Sequence, residues 1–310
     1  MLPSERKARI FPQTALVSGA MLFYNRAVNQ PLLTHDPTAV AVEVQRLYHN
    51  MFPGAGCLFV PQAFGWAIDC FSGYFEDYQP VDTRYHDVEH TLQGTLCMAR
   101  ILHGRHLAGA SPVLTKKFFE LGLLAILLHD TGYLKKQEDV KGTGAKYTAI
   151  HVTRSVEFAG KLLAAKKFSA EDIRAVQNMI RCTGVDAALD KIPFQSQLER
   201  ITGFALGSAD LIGQMAAEDY VEKLPILYSE FAEAADYSDN DGHFIAMFSS
   251  AEDLMQKTPV FWKKFVLGKL EHEFGGMHHF LNFPYPDGPN FYLDRIEANI
   301  ERLNRQLAAK

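Results

Sequence analysis

The sequence predicts an all-α fold, and three observations lead to that prediction. Hydrophobic residues recur with a helical period, as in residues 88–102, where they share one face. Residues 117–130 are apolar nearly all round, which is typical of a helix buried at the centre of a bundle. No clear alternation of the β type extends beyond short stretches such as residues 57–61, so no sheet is expected.

Local signals place the other helices. Ser169 and Asp172 form an S-x-x-D capping box that opens a helix. The Thr-Pro pair at 258–259 predicts a helix start, and the Gly-Gly pair at 275–276 predicts the end of that helix. The last helix carries a regular apolar seam, formed by Leu293, Ile296, Ile300, Leu303 and Leu307. This seam could dock on the body of the protein or on a second subunit.

The composition is that of an ordinary globular protein. The chain has 310 residues, 47% of them hydrophobic and 22% charged, with a formal net charge of -5 and a pI near 6.2. Such a charge gives no general attraction for nucleic acid or for an anionic membrane, so neither partner is expected. An anionic substrate would need a local feature such as a metal ion.

Cysteine spacing and hydropathy indicate a cytoplasmic protein. The four cysteines are widely spaced and form no Cys-x-x-Cys pair, so free thiols in a reducing compartment are expected. The first twenty residues lack the long apolar stretch of a secretion signal. The longest apolar run, near residues 121–128, is too short to span a bilayer.

The first chemical motif is the hexapeptide YHDVEH, in which His86 and His90 stand four residues apart. On a helix, two side chains at that spacing project from one face. One imidazole could then hold a metal while the other reaches a substrate beside it. A pair of surface histidines with no function is the alternative interpretation.

Two further motifs place ligand-type residues in apolar surroundings. His129 and Asp130 end a very apolar helix, where a buried carboxylate is costly unless it is paired or bound to a metal. A structural His–Asp hydrogen bond is the alternative. Asp210 interrupts the small, apolar stretch LGSADLI, and by itself it would most simply be a satisfied core aspartate.

Taken together, the pattern H…HD…D on helices resembles the HD-domain superfamily of metal-dependent phosphohydrolases. The motif YHDVEH is also similar to the Tyr-His-Asn-x-x-His motif of class I cyclic-nucleotide phosphodiesterases, and ADLIGQM is similar to their Ala-Asp-Ile-Ser-x-Pro segment. Asp87 replaces the motif's Asn, and residues 228–245 show no counterpart of the purine-binding Gln. The resemblance therefore implies an HD-domain, phosphodiesterase-like helical bundle, without implying cyclic-nucleotide specificity.

The resemblance also implies roles for individual residues. His90, His129, Asp130 and Asp210 match the ligands of the principal metal, Asp130 would bridge to a second metal, and His86 matches the histidine that protonates the leaving oxygen. Imidazole and carboxylate ligands suit Zn, Fe, Mn or Ni, and a second hard site would suit Mg or Mn. One or two divalent ions are expected, and the expected substrate is a phosphoester of a nucleotide-like small molecule.

Two other classes of function stay open. His151 lies where binuclear HD enzymes have a ligand of the second metal, and it could equally bind phosphate or support another ligand. Residues 176–186 lack the further histidine of a diiron site, which disfavours an HD-type oxygenase. A non-catalytic sensory or interaction domain stabilised by metal is the third possibility, although it would not need His86.

The domain prediction follows from these motifs. Residues 1–81 are expected to form an N-terminal helical cap, residues 82–235 the metal-binding catalytic core, and residues 236–310 helices that pack on the core. The oligomeric state is predicted as monomer or homodimer. Outside the core, His272, His278 and His279 have no evident acidic partner at metal spacing and are interpreted as surface or packing residues.

Overall fold

The computed structural model describes residues 34–184, 187–237 and 247–309, and over these residues it is all-α. The prediction of fold class is therefore confirmed. The α-helices, numbered in chain order, are α1 Pro37–Met51, α2 Phe59–Phe71, α3 Val88–Leu107, α4 Lys116–Leu128, α5 His151–Ala165, α6 Ala170–Ile180, α7 Gln197–Met215, α8 Tyr220–Tyr237, α9 Ala251–Phe261 and α10 Phe291–Ala308. Short 3₁₀ turns connect several of them, at Thr131–Tyr133, Gly144–Tyr147, Leu189–Lys191 and Met277–Leu281.

Polar side chains at the helix starts explain where several helices begin. The side chain of Ser169 accepts a hydrogen bond from the backbone N–H of Asp172, which confirms the predicted start of α6. The predicted start at residues 258–259 is wrong, because α9 begins eight residues earlier, capped by Ser250. Thr258 lies inside that helix and its hydroxyl donates to the carbonyl of Leu254. Pro259 also lies inside it.

Helices α3, α4 and α7 form the centre of the bundle. α4 is buried along most of its length, as the apolar character of residues 117–130 predicted. α3 is buried all round from His90 to Arg105, although the sequence indicated only one apolar face. α3 and α7 approach closely at two glycines. A Cβ on Gly213 in α7 would lie 2.8 Å from the carbonyl oxygen of Gln93, and a Cβ on Gly94 in α3 would lie 3.8 Å from Asp210 Cα. These glycines bring the start of α3 next to the middle of α7.

Replacing Gly213 by alanine is therefore expected to push α3 and α7 apart. We expect the free energy of unfolding to fall by about 1–3 kcal/mol, the usual cost of overpacking a core. The matched control is Gly65→Ala in α2, where a Cβ would meet nothing within 4 Å. That variant should be as stable as the wild type or more stable by up to about 1 kcal/mol. Urea denaturation measures both, and equal stability of the two variants would contradict the expectation.

The domain boundaries predicted at residues 81 and 235 stay predictions. Residues 1–33 of the proposed N-terminal cap lie outside the described residues, and α1 and α2 form the rest of it. α1 packs on α3, and α2 packs on α4. Within the described residues, no helix has both the length and the apolar character needed to cross a membrane.

Candidate metal centre

Four predicted ligand residues come together where α3, α4 and α7 meet. His90 lies in the first turn of α3, and His129 and Asp130 directly follow the last residue of α4. Asp210 lies in the middle of α7, just before the close contact at Gly213. All four side chains are buried in the protein interior. Three separate helices therefore supply the cluster, and the packing of those helices determines its geometry.

The distances within the cluster are those of a coordination shell. His90 Nε2 lies 3.2 Å from Asp130 Oδ2 and 3.2 Å from Asp210 Oδ1. His129 Nε2 lies 3.3 Å and 3.2 Å from the same two oxygens. Ligands at right angles around an ion, with bonds of about 2.1 Å, lie about 3 Å apart. His90, His129 and Asp130 form a group whose ligand atoms are mutually close enough to hold a metal ion.

Two atoms at the centre of the cluster are buried without a hydrogen-bond partner among the described residues. They are His129 Nε2 and Asp130 Oδ2, which face each other. His129 Nδ1 lies 2.7 Å from the carbonyl oxygen of Ile126, which can only accept, so Nδ1 carries the proton and Nε2 offers a lone pair. Buried polar atoms are almost always satisfied, and a cation between these two would satisfy both. The donor set therefore fits a divalent metal ion.

Charge also indicates a cation at this position. Burial alone would raise the pKa of Asp130, but the neighbouring imidazoles of His129 and His90 outweigh burial and hold that pKa below its usual range. Burial would lower the pKa of His90, but the carboxylates of Asp130 and Asp210 beside its Nε2 raise it to about 10. Without a metal, the cluster thus keeps protons to balance two carboxylates. A divalent ion would replace those protons.

Metal binding is consequently expected to release protons and to strengthen with pH. Only neutral His90 can coordinate, and its imidazole stays protonated in the metal-free protein below a pKa of about 10. Apparent affinity should therefore keep rising from about pH 7 to about pH 9, by up to about tenfold per pH unit. Competition with a chelator of known pH dependence measures this. An affinity that levels off above about pH 7.5 would indicate an imidazole with an ordinary pKa.

His86 lies beside the cluster, but it does not share a helix face with His90 as the spacing suggested. α3 begins only at Val88, because the side chain of Asp87 caps it by accepting from the backbone N–H of His90. His86 belongs to the bend that precedes the helix, with its ring centroid 5.5 Å from that of His90. The two imidazoles are therefore brought together by the turn before α3 and not by a shared helix face.

Glu230 in α8 holds His86 in place, and the sequence analysis did not identify it. Its Oε2 lies 2.6 Å from His86 Nδ1, and its Oε1 accepts from the backbone N–H groups of Arg84 and Tyr85, each at 2.7 Å. Burial would raise the pKa of Glu230, but the charge of His86 and these hydrogen bonds lower it. The signal in the sequence was a carboxylate on the apolar face of α8, between Leu227 and Ala234.

His151 lies on the other side of Asp130, at the start of α5. Its Nε2 is 4.0 Å from Asp130 Oδ1, while its Nδ1 donates to the carbonyl of Thr148 at 2.6 Å. Asp130 therefore presents Oδ2 to the cluster and Oδ1 to His151. The ring of Tyr133 stacks on both His86 and His151, with centroid distances of 4.5 Å and 4.8 Å.

The fold and the site define a class: an all-α protein with a buried His/Asp cluster compatible with a metal ion. A sequence model of the Npun_R2479-like family matches residues 64–278, which is more than half of the chain. The chain belongs to the Npun_R2479-like family. The matched range contains every residue of the cluster, together with His86, His151 and Glu230. No curated protein matches the sequence.

Proposed function

We propose that this protein is a metal-dependent phosphohydrolase of the HD type, acting in the cytoplasm on a phosphoester of a nucleotide-like small molecule. The observation that carries the proposal is the convergence of two imidazoles and two carboxylates at coordination distance, with a third histidine, His86, beside them. The proposed metal ligands are His90, His129, Asp130 and Asp210. Asp210 is thus added to the group of three residues that are mutually close enough to hold an ion.

The roles of the surrounding residues follow from their contacts. A bound divalent ion would lower the pKa of a coordinated water and offset the charge of the phosphate. His86 is the proposed proton donor to the leaving oxygen, because Glu230 occupies its Nδ1 and leaves Nε2 for the substrate. Glu230 does not touch the substrate in this proposal. It positions His86 and keeps the imidazole in one tautomer.

The exposure of the side chains favours a catalytic over a purely structural metal. The side chains of His129 and Asp130 are 1% and 2% exposed, so one side of the cluster is closed. Those of Asp210, His86 and His151 are 12%, 14% and 20% exposed, so the opposite side is within reach of solvent. Structural metal sites are closed, whereas catalytic sites keep one position open for water or substrate.

Asp130 and His151 support a second, hard ion rather than a diiron centre. Asp130 Oδ1 and His151 Nε2 face each other at 4.0 Å and could share an ion whose remaining ligands are waters. The sequence has no further histidine in residues 176–186 to complete a nitrogen-rich second site. Such a position suits Mg or Mn and hydrolysis better than a redox iron, whose potential needs tuning by its ligands.

The test is a phosphoester screen on protein loaded separately with Mn, Zn, Ni and Fe. A monoester and a diester of p-nitrophenol and a set of nucleotides cover the substrate class, and the same panel on Asp130→Ala protein controls for contaminating phosphatases. Metal-dependent phosphate release by the wild type alone would support the proposal. Oxygen uptake by protein holding two tightly bound irons would favour an oxygenase. Bound metal without any turnover would favour a sensory or interaction domain.

A further inference from the structure

A second group of ligand-type residues lies far from the centre, near the C-terminal end of α3. Beyond α9, the helix continues through two wide π-type turns, Trp262–Val266 and Lys269–Glu273. The chain then reverses at Gly275 and Gly276, which have φ of +60° and +68°, and enters the 3₁₀ turn Met277–Leu281. Glu271 stands on one side of this reversal, and His278 and His279 stand on the other.

The three side chains converge across the reversal. Glu271 Oε2 lies 2.8 Å from His279 Nε2 and 3.7 Å from His278 Nε2. Each residue offers a ligand atom within 4.8 Å of the other two. Tetrahedral ligands with bonds of about 2.0–2.1 Å lie about 3.3 Å apart, which falls between the two distances. The interpretation that His278 and His279 have no acidic partner is therefore wrong. The chain reversal at the two glycines places both histidines next to Glu271.

The surrounding structure holds the ligands in place. His278 is buried, 4% exposed, and its Nδ1 has no hydrogen-bond partner among the described residues. Its backbone carbonyl accepts from Asn290 Nδ2 at 3.0 Å. A Cβ on Gly276 would lie 3.0 Å from His279 Cδ2, so the glycine leaves room for that ring to fold back. The 3₁₀ turn is pressed against α3, where Gly104 allows contact with the carbonyl of Phe280.

One further observation indicates that the group can accept a metal. Glu271 belongs to a π-type turn, and such turns inside α-helices frequently occur at functional sites. Two imidazoles and one carboxylate form a donor set that suits Zn and its neighbours Ni and Cu.

We propose that Glu271, His278 and His279 form a second divalent-metal site of the zinc class, in which water fills the remaining coordination. The site joins the end of the π-type turn to the 3₁₀ turn and so closes the glycine reversal between them. It lies along α3 from His90, at the end of the helix that carries Gly104, roughly 20 Å away by the helical rise. Its role is structural, and it is independent of the function proposed for the first centre.

The test counts zinc bound by the full chain in competition with a chromogenic chelator. We expect the wild type to hold one more zinc ion per chain than His279→Ala and Glu271→Gln, or to hold that ion at least about tenfold more tightly. Both side chains are about half exposed, so neither change removes core packing. Hydrogen exchange gives a second readout. Zinc should slow exchange in residues 269–282 of the wild type and leave it unchanged in both variants.

The matched control is His35→Ala. His35 Nδ1 lies 2.8 Å from Glu89 Oε1, and this His–Glu pair belongs to none of the three-ligand groups among the described residues. The control should bind as much zinc as the wild type. Equal zinc number and affinity in the wild type, His279→Ala and Glu271→Gln would overturn the proposal. So would an equal loss in His35→Ala, since that would show scattered binding to surface histidines.

Discussion

Replacing Asp130 by alanine is expected to abolish both metal binding and phosphoester hydrolysis. Its Oδ2 faces both imidazoles of the cluster, and its Oδ1 faces His151, so one side chain serves both proposed ion positions. The metal content after dialysis should fall by about one ion per chain relative to the wild type. Activity should fall by about 10³-fold or more, because a bound ion contributes several kcal/mol to stabilising the transition state.

The control for this variant is Asp77→Asn, which removes the charge of an exposed aspartate paired with Lys136. It should keep the wild-type metal content and activity. Circular dichroism on both variants separates a lost ion from a lost fold. Asp130→Ala protein that stays folded and holds as many ions per chain as the wild type after dialysis would show that Asp130 is not a ligand.

Replacing His86 by alanine is expected to separate binding from catalysis. His86 lies outside the proposed shell of four ligands, so the metal content should stay at the wild-type value. Turnover should fall by about 10²–10⁴-fold, the usual effect of losing a positioned proton donor. The loss should be smallest for substrates with acidic leaving groups such as p-nitrophenol, because these depart without a proton. Metal analysis and the dependence of kcat on the leaving group measure the two parts.

Glu230→Gln is the companion variant, because it keeps His86 and weakens only the hydrogen bond that orients it. Its turnover should lie between those of the wild type and His86→Ala, with unchanged metal content. If His86→Ala protein loses its metal instead, His86 is a ligand and its assignment as proton donor is wrong. An equal loss of turnover for every leaving group would also contradict a role in proton transfer.

The residues of the candidate centre could be predicted from the sequence because they are ionisable side chains in otherwise apolar segments. His129 and Asp130 end a helix that is otherwise almost entirely apolar, and Asp210 interrupts a run of small and apolar residues. A buried ionisable group needs an opposite charge, a hydrogen bond or a metal ion as its partner, and a set of histidines and aspartates favours a metal ion. Helical periodicity likewise predicted the all-α fold, because amphipathic and buried helices differ clearly in their patterns.

Pairings between distant residues could not be predicted in the same way. His86 and Glu230 are 144 positions apart, and only the packing of α8 brings them together. Because Asp87 caps α3, the helix begins after His86, and His86 is not part of it. In α9 the Thr-Pro pair at 258–259 led to a wrong prediction of the helix start, because Ser250 is the N-cap of that helix. Local signals compete, and tertiary contacts decide between them.

The close approach of α3 and α7 at their glycines also bears on folding kinetics. His90 and Asp210 are 120 residues apart, so the unfolded chain offers no ready-made chelate that includes both. An ion can bind all four side chains only after three helices have packed. Mutual contacts formed so late are absent from the folding transition state, and stabilising them slows unfolding without speeding folding. A bound ion would therefore prolong the lifetime of the folded protein without hastening its formation.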